Sequence, residues 1–294
     1  MRIPRFLAIS LFVAVVPIFL ITTNARWVIN APILYSYGFD KYNITITAWT
    51  DIERDEFLSA ARQIRDYFNN DEEDLDVRIV QRGVRGSIYN DREIAHMRDV
   101  KWLVKGVYRV QLLTGAYLVA FIISLLALER RRSLPRLGRR LALGGVVTIG
   151  LVVVVGLGAL AGFDRLFYTF HIVSFSNDLW MLDPSRDNLI AMFPEGFFLD
   201  ATMWIAFSTV AEAVALVAIM HFFLRRSKKR DPASARPSTS TPPLAPALPD
   251  ARTPSQSGEG QGAAAQVNLG EPIGNGHHGN GLSSDPSSYR SGSN

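Results

Sequence analysis

Apolar residues fall along this chain in four long blocks, at about residues 6–22, 107–128, 141–162 and 201–224. Polar and charged groups return between them. A helix needs roughly 20 mostly apolar residues to cross the hydrocarbon core, so the pattern predicts four membrane spans. The first block follows Arg2 and Arg5 and precedes Thr23-Asn24-Ala25, a loose match to a leader cleavage site. It is read as an uncleaved anchor over residues 1–23. The spans are read as lacking an ionisable residue near mid-depth, which disfavours a transporter or channel.

The periodicity changes between the blocks. Residues 42–50 alternate Ile44, Ile46 and Ala48 with polar neighbours, a strand pattern. Asp51 is placed to cap a helix over 52–68 with Phe57, Ala60, Ala61, Ile64 and Phe68 on one face. Residues 75–80 alternate again, and Gly83 and Gly86 mark a turn. Residues 24–106 are therefore expected to form a small α/β insert. A helix starting at Asp91 meets no proline or glycine until Gly106 and is expected to continue into the second span. His96, Val100, Leu103 and Val107 then share a face, with Glu93 and Asp99 three residues either side of the imidazole.

The third block is rich in glycine and valine, which suits close helix packing or a dimer face. It is expected to extend outward through Phe170, so that Asp164, Tyr168 and His171 share a face. Pro184 and Pro194 interrupt the 163–200 segment, and Glu195 and Asp200 stand where the fourth helix dipole favours acids.

Charge sets the orientation. The 129–140 loop holds Arg130, Arg131, Arg132, Arg136, Arg139 and Arg140 against one acid, Glu129. The fourth span runs into Arg225, Arg226, Lys228, Lys229 and Arg230. Cytoplasmic loops collect lysine and arginine, so both termini are expected in the cytoplasm and the 24–106 and 163–200 segments outside. Topology explains these basic groups, and no nucleic-acid partner is expected. Residues 225–294 form the C-terminal tail. From Asp231 it is mainly proline, serine, glycine and alanine, and it is expected to be disordered. The fold class is a mainly α membrane protein: a four-helix transmembrane bundle with a small extracytoplasmic α/β insert and a disordered tail.

The chain has no cysteine, which excludes disulfides, thiolate metal sites and a thiol nucleophile. It has no phosphate loop and no Gly-x-Ser-x-Gly elbow. The external side carries two histidines near a membrane boundary, His96 and His171, each with acids nearby. Taken singly, each suits a structural hydrogen bond. At a shared depth they suit proton transfer, since histidine titrates near neutral pH. Glu93-x-x-His96 has a spacing found in carboxylate di-metal bundles, but the second such motif is missing, so neither metal nor cofactor is expected.

Two stretches resemble one family. The first is the Glu93-x-x-His96-Met97-x-Asp99-Val100-Lys101 run, preceded by Tyr89-Asn90-Asp91. The second is Phe170-His171 followed by Phe175, Asn177-Asp178-Leu179-Trp180, Leu182-Asp183-Pro184, Asp187 and Phe193-Pro194-Glu195. Over residues 1–226 the chain resembles the four-span bacterial membrane proteins that include the lipoprotein intramolecular transacylase. The long tail departs from that pattern. The resemblance implies an acyltransferase of the bacterial cell membrane. Such an enzyme moves the sn-2 acyl chain of a diacylglyceryl-cysteine lipoprotein in the outer leaflet onto the cysteine α-amine. It also implies His171 as principal base or nucleophile and His96 as its partner. Glu93, Asp99, Tyr168, Asn177, Asp178 and Asp183 are expected to support them, and Phe167, Phe170, Phe175 and Trp180 to wall the acyl-chain groove. The alternative is a non-catalytic membrane protein that binds a lipid or protein partner through its external insert.

Overall fold

The computed structural model describes residues 2–44, 53–81, 83–129 and 133–229. All of them lie in the first of two units, residues 1–238; the second is residues 239–294. Four helices are long and apolar enough to cross a membrane. They are α1 (Arg2–Asn30), α4 (Asp91–Glu129), α5 (Leu134–Ala161) and α8 (Glu195–Lys229). All outrun their apolar blocks. At ~1.5 Å per residue, the 39 residues of α4 extend far beyond a hydrocarbon core of about 30 Å. Its first turns, with Arg92, Arg98, Lys101 and Lys105, therefore stand clear of the bilayer.

The spans pack through small residues. A Cβ on Gly144 of α5 would lie 2.8 Å from Val16 of α1, and one on Gly145 would lie 2.8 Å from Val217 of α8. These two glycines let backbones approach within the bundle, as small residues do in lipid. The span core is built from Phe12, Val15, Val16, Leu118 and Leu137, with Phe12 stacked on Phe121.

A second, larger core fills the cap. α2 (Pro32–Tyr42) follows α1 after Ala31, and its proline occupies the first turn, where the missing N–H costs nothing. α3 (Arg54–Asn69) buries Phe57, Ala60, Ala61, Ile64, Tyr67 and Phe68 along one stripe. A hairpin joins β1 (Arg78–Gln81) to β2 (Val84–Ser87), with Gly83 supplying the positive φ of its turn. Between α5 and α8 lie α6 (Phe163–Ser174) and the short α7 (Asn188–Met192). Tyr35, Phe39, Phe57, Phe193 and Phe197 form a chain of ring contacts through this core.

Several expectations change. Tyr42 ends a helix, not a strand, and Asn43 caps it in the left-handed conformation; residues 45–50 of the expected strand and its neighbour Asp51 lie outside the described residues. α2 escaped the sequence reading because its aromatic and polar residues mix without a clean stripe. α5 does not continue to Phe170. It stops at Ala161, and Gly162 breaks the backbone before α6 begins. Arg225 and Arg226 belong to α8 rather than to the tail, whose residues from 230 on lie outside the described ones. The mid-span expectation also fails: Glu212 stands halfway along α8. It accepts a hydrogen bond from Asn24 Nδ2 of α1 at 2.8 Å, which offsets part of the cost of placing a carboxylate there.

Candidate active site

Gly162 turns the chain out of α5, so α6 can lay its inner face against the start of α4. That brings His171 of α6 to His96 of α4, with ring centroids 6.3 Å apart and planes 32° apart. Both side chains are buried, at 6% and 8% exposure for His96 and His171.

His171 is held in one tautomer. Its Nδ1 lies 2.7 Å from the carbonyl oxygen of Phe167, one turn earlier. A carbonyl only accepts, so Nδ1 carries the proton and Nε2 keeps its lone pair. Four rings pack around it: Phe167 at 4.4 Å, Trp180 at 4.9 Å, Phe170 at 5.3 Å and Phe175 at 5.6 Å. Burial pulls its pKa below the ordinary histidine value, against the Phe167 carbonyl, which pulls it up.

His96 sits 5.3 Å from Phe175 and makes no hydrogen bond among the described residues; its Nδ1 is fully buried without a partner. Burial, reinforced by the neighbouring His171 and by Arg92 and opposed by Asp99, pushes its pKa down to about 4. Both imidazoles are thus neutral near pH 7. Buried polar atoms almost always find partners, so an unpaired one beside a second imidazole is a feature to explain.

The supporting acids behave differently from one another. Asp99 accepts from Asn177 Nδ2 at 2.9 Å, which ties the loop after α6 to α4 one turn below His96. Asp178 contributes its carbonyl oxygen, which accepts from Arg92 Nη2 at 2.7 Å. Asp183 closes a turn on Ser185 and pairs with Arg186, away from the rings. Tyr168 is largely exposed and packs edge-on against Trp180 at 5.5 Å, so it reaches His171 through that indole.

Glu93 does not reach the imidazole. Its carboxylate is fully buried and faces the other way, accepting from the backbone N–H of Asn90 at 2.8 Å and of Leu189 at 2.6 Å. Asn90 Oδ1 accepts from the Glu93 N–H in return, a reciprocal cap at the start of α4. Burial raises the Glu93 pKa; the N–H groups of Asn90 and Leu189 oppose this and the nearby Asp187 adds to it. Asp187, also buried, accepts from Asn90 Nδ2 at 3.0 Å and from the Asp183 N–H at 2.7 Å. Asn188 Nδ2 donates to the Ile88 carbonyl at 2.6 Å.

This clamp fixes the 175–194 loop onto α4, and sequence reasoning missed most of it. Asn90 and Asp187 were quoted only as parts of motifs. Arg92, which lies inside the first of those motifs, also donates to the Met181 carbonyl at 2.8 Å. The signal available for the cap was the Asn90-x-x-Glu93 spacing just before an apolar helix.

The outer flank of α6 is greasy. Phe170, Ile172 and Val173 are exposed, so the histidine pair is walled by residues that favour hydrocarbon over water.

The comparisons with known proteins bear on this architecture. A solved structure of the membrane-integral lipoprotein intramolecular transacylase Lit from Bacillus cereus superposes with a TM-score of 0.66 at 21% identity. The alignment covers 78% of this chain and all of that one. Two variants of the same protein, with histidine replaced by alanine or by arginine, each give 0.62 at 21% identity over 76% of this chain. They cover 94% and 93% of those chains. At this identity they show the fold. No match was found among curated protein sequences. The family model described as "Lipoprotein intramolecular transacylase Lit" matches residues 10–198, a stretch that contains the cap, α6 and both histidines. On that match the chain belongs to the lipoprotein intramolecular transacylase family, membrane acyltransferases that act on lipoproteins.

Proposed function

We propose that this protein moves an acyl chain from the glycerol of a diacylglyceryl-cysteine lipoprotein to the α-amine of the same cysteine, with His171 and His96 as the reacting side chains. One observation carries the reading: two neutral, buried imidazoles lie 6.3 Å apart with nitrogens left unpaired, inside a wall of aromatic rings.

The chemistry follows from the groups. Donor ester and acceptor amine sit on one substrate molecule, so the protein's main task is orientation. An α-amine has a pKa near 8 and must be neutral to attack. Its nitrogen bonds to the ester carbonyl carbon. The carbon–oxygen bond to glycerol then breaks. His171 Nε2, fixed as an acceptor by the Nδ1 contact to Phe167, takes the amine proton. His171 then returns that proton to the departing glycerol oxygen, and the N–H of the neutral His96 imidazole donates to the transient oxyanion. Phe167, Phe170, Phe175 and Trp180 exclude water, so the acyl group goes to the amine and is not released as fatty acid. Arg92, Asn177, Asp99 and the Glu93–Asp187 clamp hold the loop that carries Trp180.

In this reading the cap faces the outer leaflet of the bacterial cell membrane, with both termini and the arginine-rich 129–140 loop in the cytoplasm. The tail beyond α8 belongs to that cytoplasmic side. The experiment is expression in a host that makes diacylated lipoproteins, followed by mass analysis of their N-terminal peptides. One acyl chain is expected to shift from glycerol to nitrogen with no change in total mass. His171→Ala and His96→Ala are expected to abolish the shift. Unchanged peptides in the presence of abundant, inserted protein would refute transfer and favour a binding role. Orientation is checked with single introduced cysteines, which the cysteine-free chain makes unambiguous.

A further inference from the structure

A groove of about 310 Å³ runs between α2 and α3, lined by Pro32, Ile33, Tyr35, Leu58, Ala61 and, at its mouth, Arg62 and Arg65. Ser36 is its other polar residue. The Tyr35 hydroxyl is spent on the Ile29 carbonyl at 2.7 Å. The floor is therefore apolar, and the two guanidiniums are the groups that can select an occupant. Arg62 is exposed and has no partner among the described residues. Among the described residues Arg65 pairs only with its chain neighbour Asp66, at 3.2 Å, and Asp66 is itself mostly in solvent.

The groove adjoins the spans through one shared residue. A smaller apolar recess of about 110 Å³, lined by Trp27, Val28, Leu34, Tyr37 and Trp204 among others, shares Ile33 with it. Trp27 is 56% exposed and Ile33 65%, and Trp27 and Trp204 belong to the spans α1 and α8. Exposed Trp and Tyr of this kind mark the headgroup level. The helix that carries the arginines is tied to the same end of α1. Asn69 at the end of α3 donates to Asn30 Oδ1 at 2.8 Å, where α1 ends its span, and Arg65 lies one helical turn before Asn69.

We infer that this groove holds an anionic glycerophospholipid of the surrounding bilayer. Its acyl chain runs along the recess past Ile33, and its phosphate lies between Arg62 and Arg65. Guanidinium and phosphate match in charge and in hydrogen-bond geometry. A diacylglyceryl lipopeptide has no phosphate to offer, so the arginines distinguish this occupant from the substrate of the proposed reaction. The lipid ties α2 and α3 to the leaflet and keeps the cap seated on the spans. The inference does not depend on acyl transfer, and its test reads lipid retention alone.

The test is native mass spectrometry of the detergent-purified full chain titrated with phosphatidylglycerol or with phosphatidylcholine of the same acyl chains. Phosphatidylglycerol is expected to be retained preferentially. Arg62→Ala/Arg65→Ala is expected to weaken that retention about tenfold, with partial recovery in Arg62→Lys/Arg65→Lys. Arg62→Glu, at an exposed position without contacts, gives the same reading if the double variant does not fold. Equal retention of the two lipids, or retention unchanged in these variants, would overturn the proposal. So would removal of the lipid by millimolar inorganic phosphate, which would make the pair a free-phosphate site. Competitive displacement by a diacylated lipopeptide would assign the groove to substrate and overturn it too.

Discussion

The cap contains two buried polar clusters a single helical turn apart on α4, and they are built on opposite rules. Around Glu93 and Asp187, both carboxylates accept backbone or amide N–H groups, and Asn90 serves both. Around His96 and His171, one imidazole has no hydrogen bond among the described residues and the other uses Nδ1. A satisfied buried network specifies a conformation. Buried groups left unpaired cost stability and persist where something else uses them. The contrast separates the residues that hold this site from those proposed to react in it, and Glu93 and His96, one of each kind, share one short motif.

Substitutions break the comparison in opposite directions. His171→Ala should cause the largest loss, lowering the rate of acyl transfer by about 10²–10⁴, the range for a positioned base, in addition to the stability lost with its ring packing. Glu93→Ala should do the reverse in kind. It strands the buried N–H groups of Asn90 and Leu189, at roughly 3 kcal/mol, which denaturation in detergent would register. Glu93→Gln keeps one acceptor oxygen and should recover part of that. Arg92→Ala frees the carbonyls of Asp178 and Met181 and loosens the loop under Trp180. Steady-state kinetics should show a loss of about tenfold, the scale of one hydrogen bond to a charged group. Limited proteolysis should find the 175–194 loop more open.

The remaining effects are in pH dependence, and they differ in sign. His96 has a folded pKa of about 4 against an ordinary 6.5. Between these values the unfolded chain binds the proton and the folded one does not, so stability falls as pH drops from 6.5 towards 4. His171, also depressed, adds to this slope. Glu93 is raised above its ordinary 4.5, so the folded chain binds more protons just above that value. Its contribution weakens as pH rises through that window. Unfolding curves from pH 4 to 7 on His96→Phe and Glu93→Gln should remove slopes of opposite sign. Activity should rise through the α-amine pKa near 8, with His96 neutral throughout that range.

The spans were legible in the sequence because apolar blocks of this length have few other readings. α3, the β1–β2 turn and the long reach of α4 were legible from periodicity and from glycine placement. α2 was not, because the run from Pro32 to Tyr42 sets Ser36, Asp40 and Lys41 among its aromatic residues, and its buried face of Leu34, Tyr35, Gly38 and Phe39 includes a glycine. The break at Gly162 was not legible either, since one more glycine in a glycine-rich span looks like its neighbours. The meeting of His96 and His171 was expected from the family resemblance, and the aromatic wall from the clustering of phenylalanines in 163–200. Glu93 was misread because spacing along a helix puts it within reach of His96, while the choice between that ring and two backbone N–H groups depends on tertiary packing.

The most direct measurement is a paired assay on purified His96→Phe. It combines a melting curve with the conversion of a synthetic diacylated lipopeptide to its N-acylated lyso-form, followed by mass spectrometry. His96 makes no hydrogen bond, so an apolar ring of similar size should leave the melting temperature equal or higher while conversion is lost. A protein that melts lower yet still converts the lipopeptide at the wild-type rate would contradict the account, because the unpaired imidazole would then be structural and the chemistry would lie elsewhere.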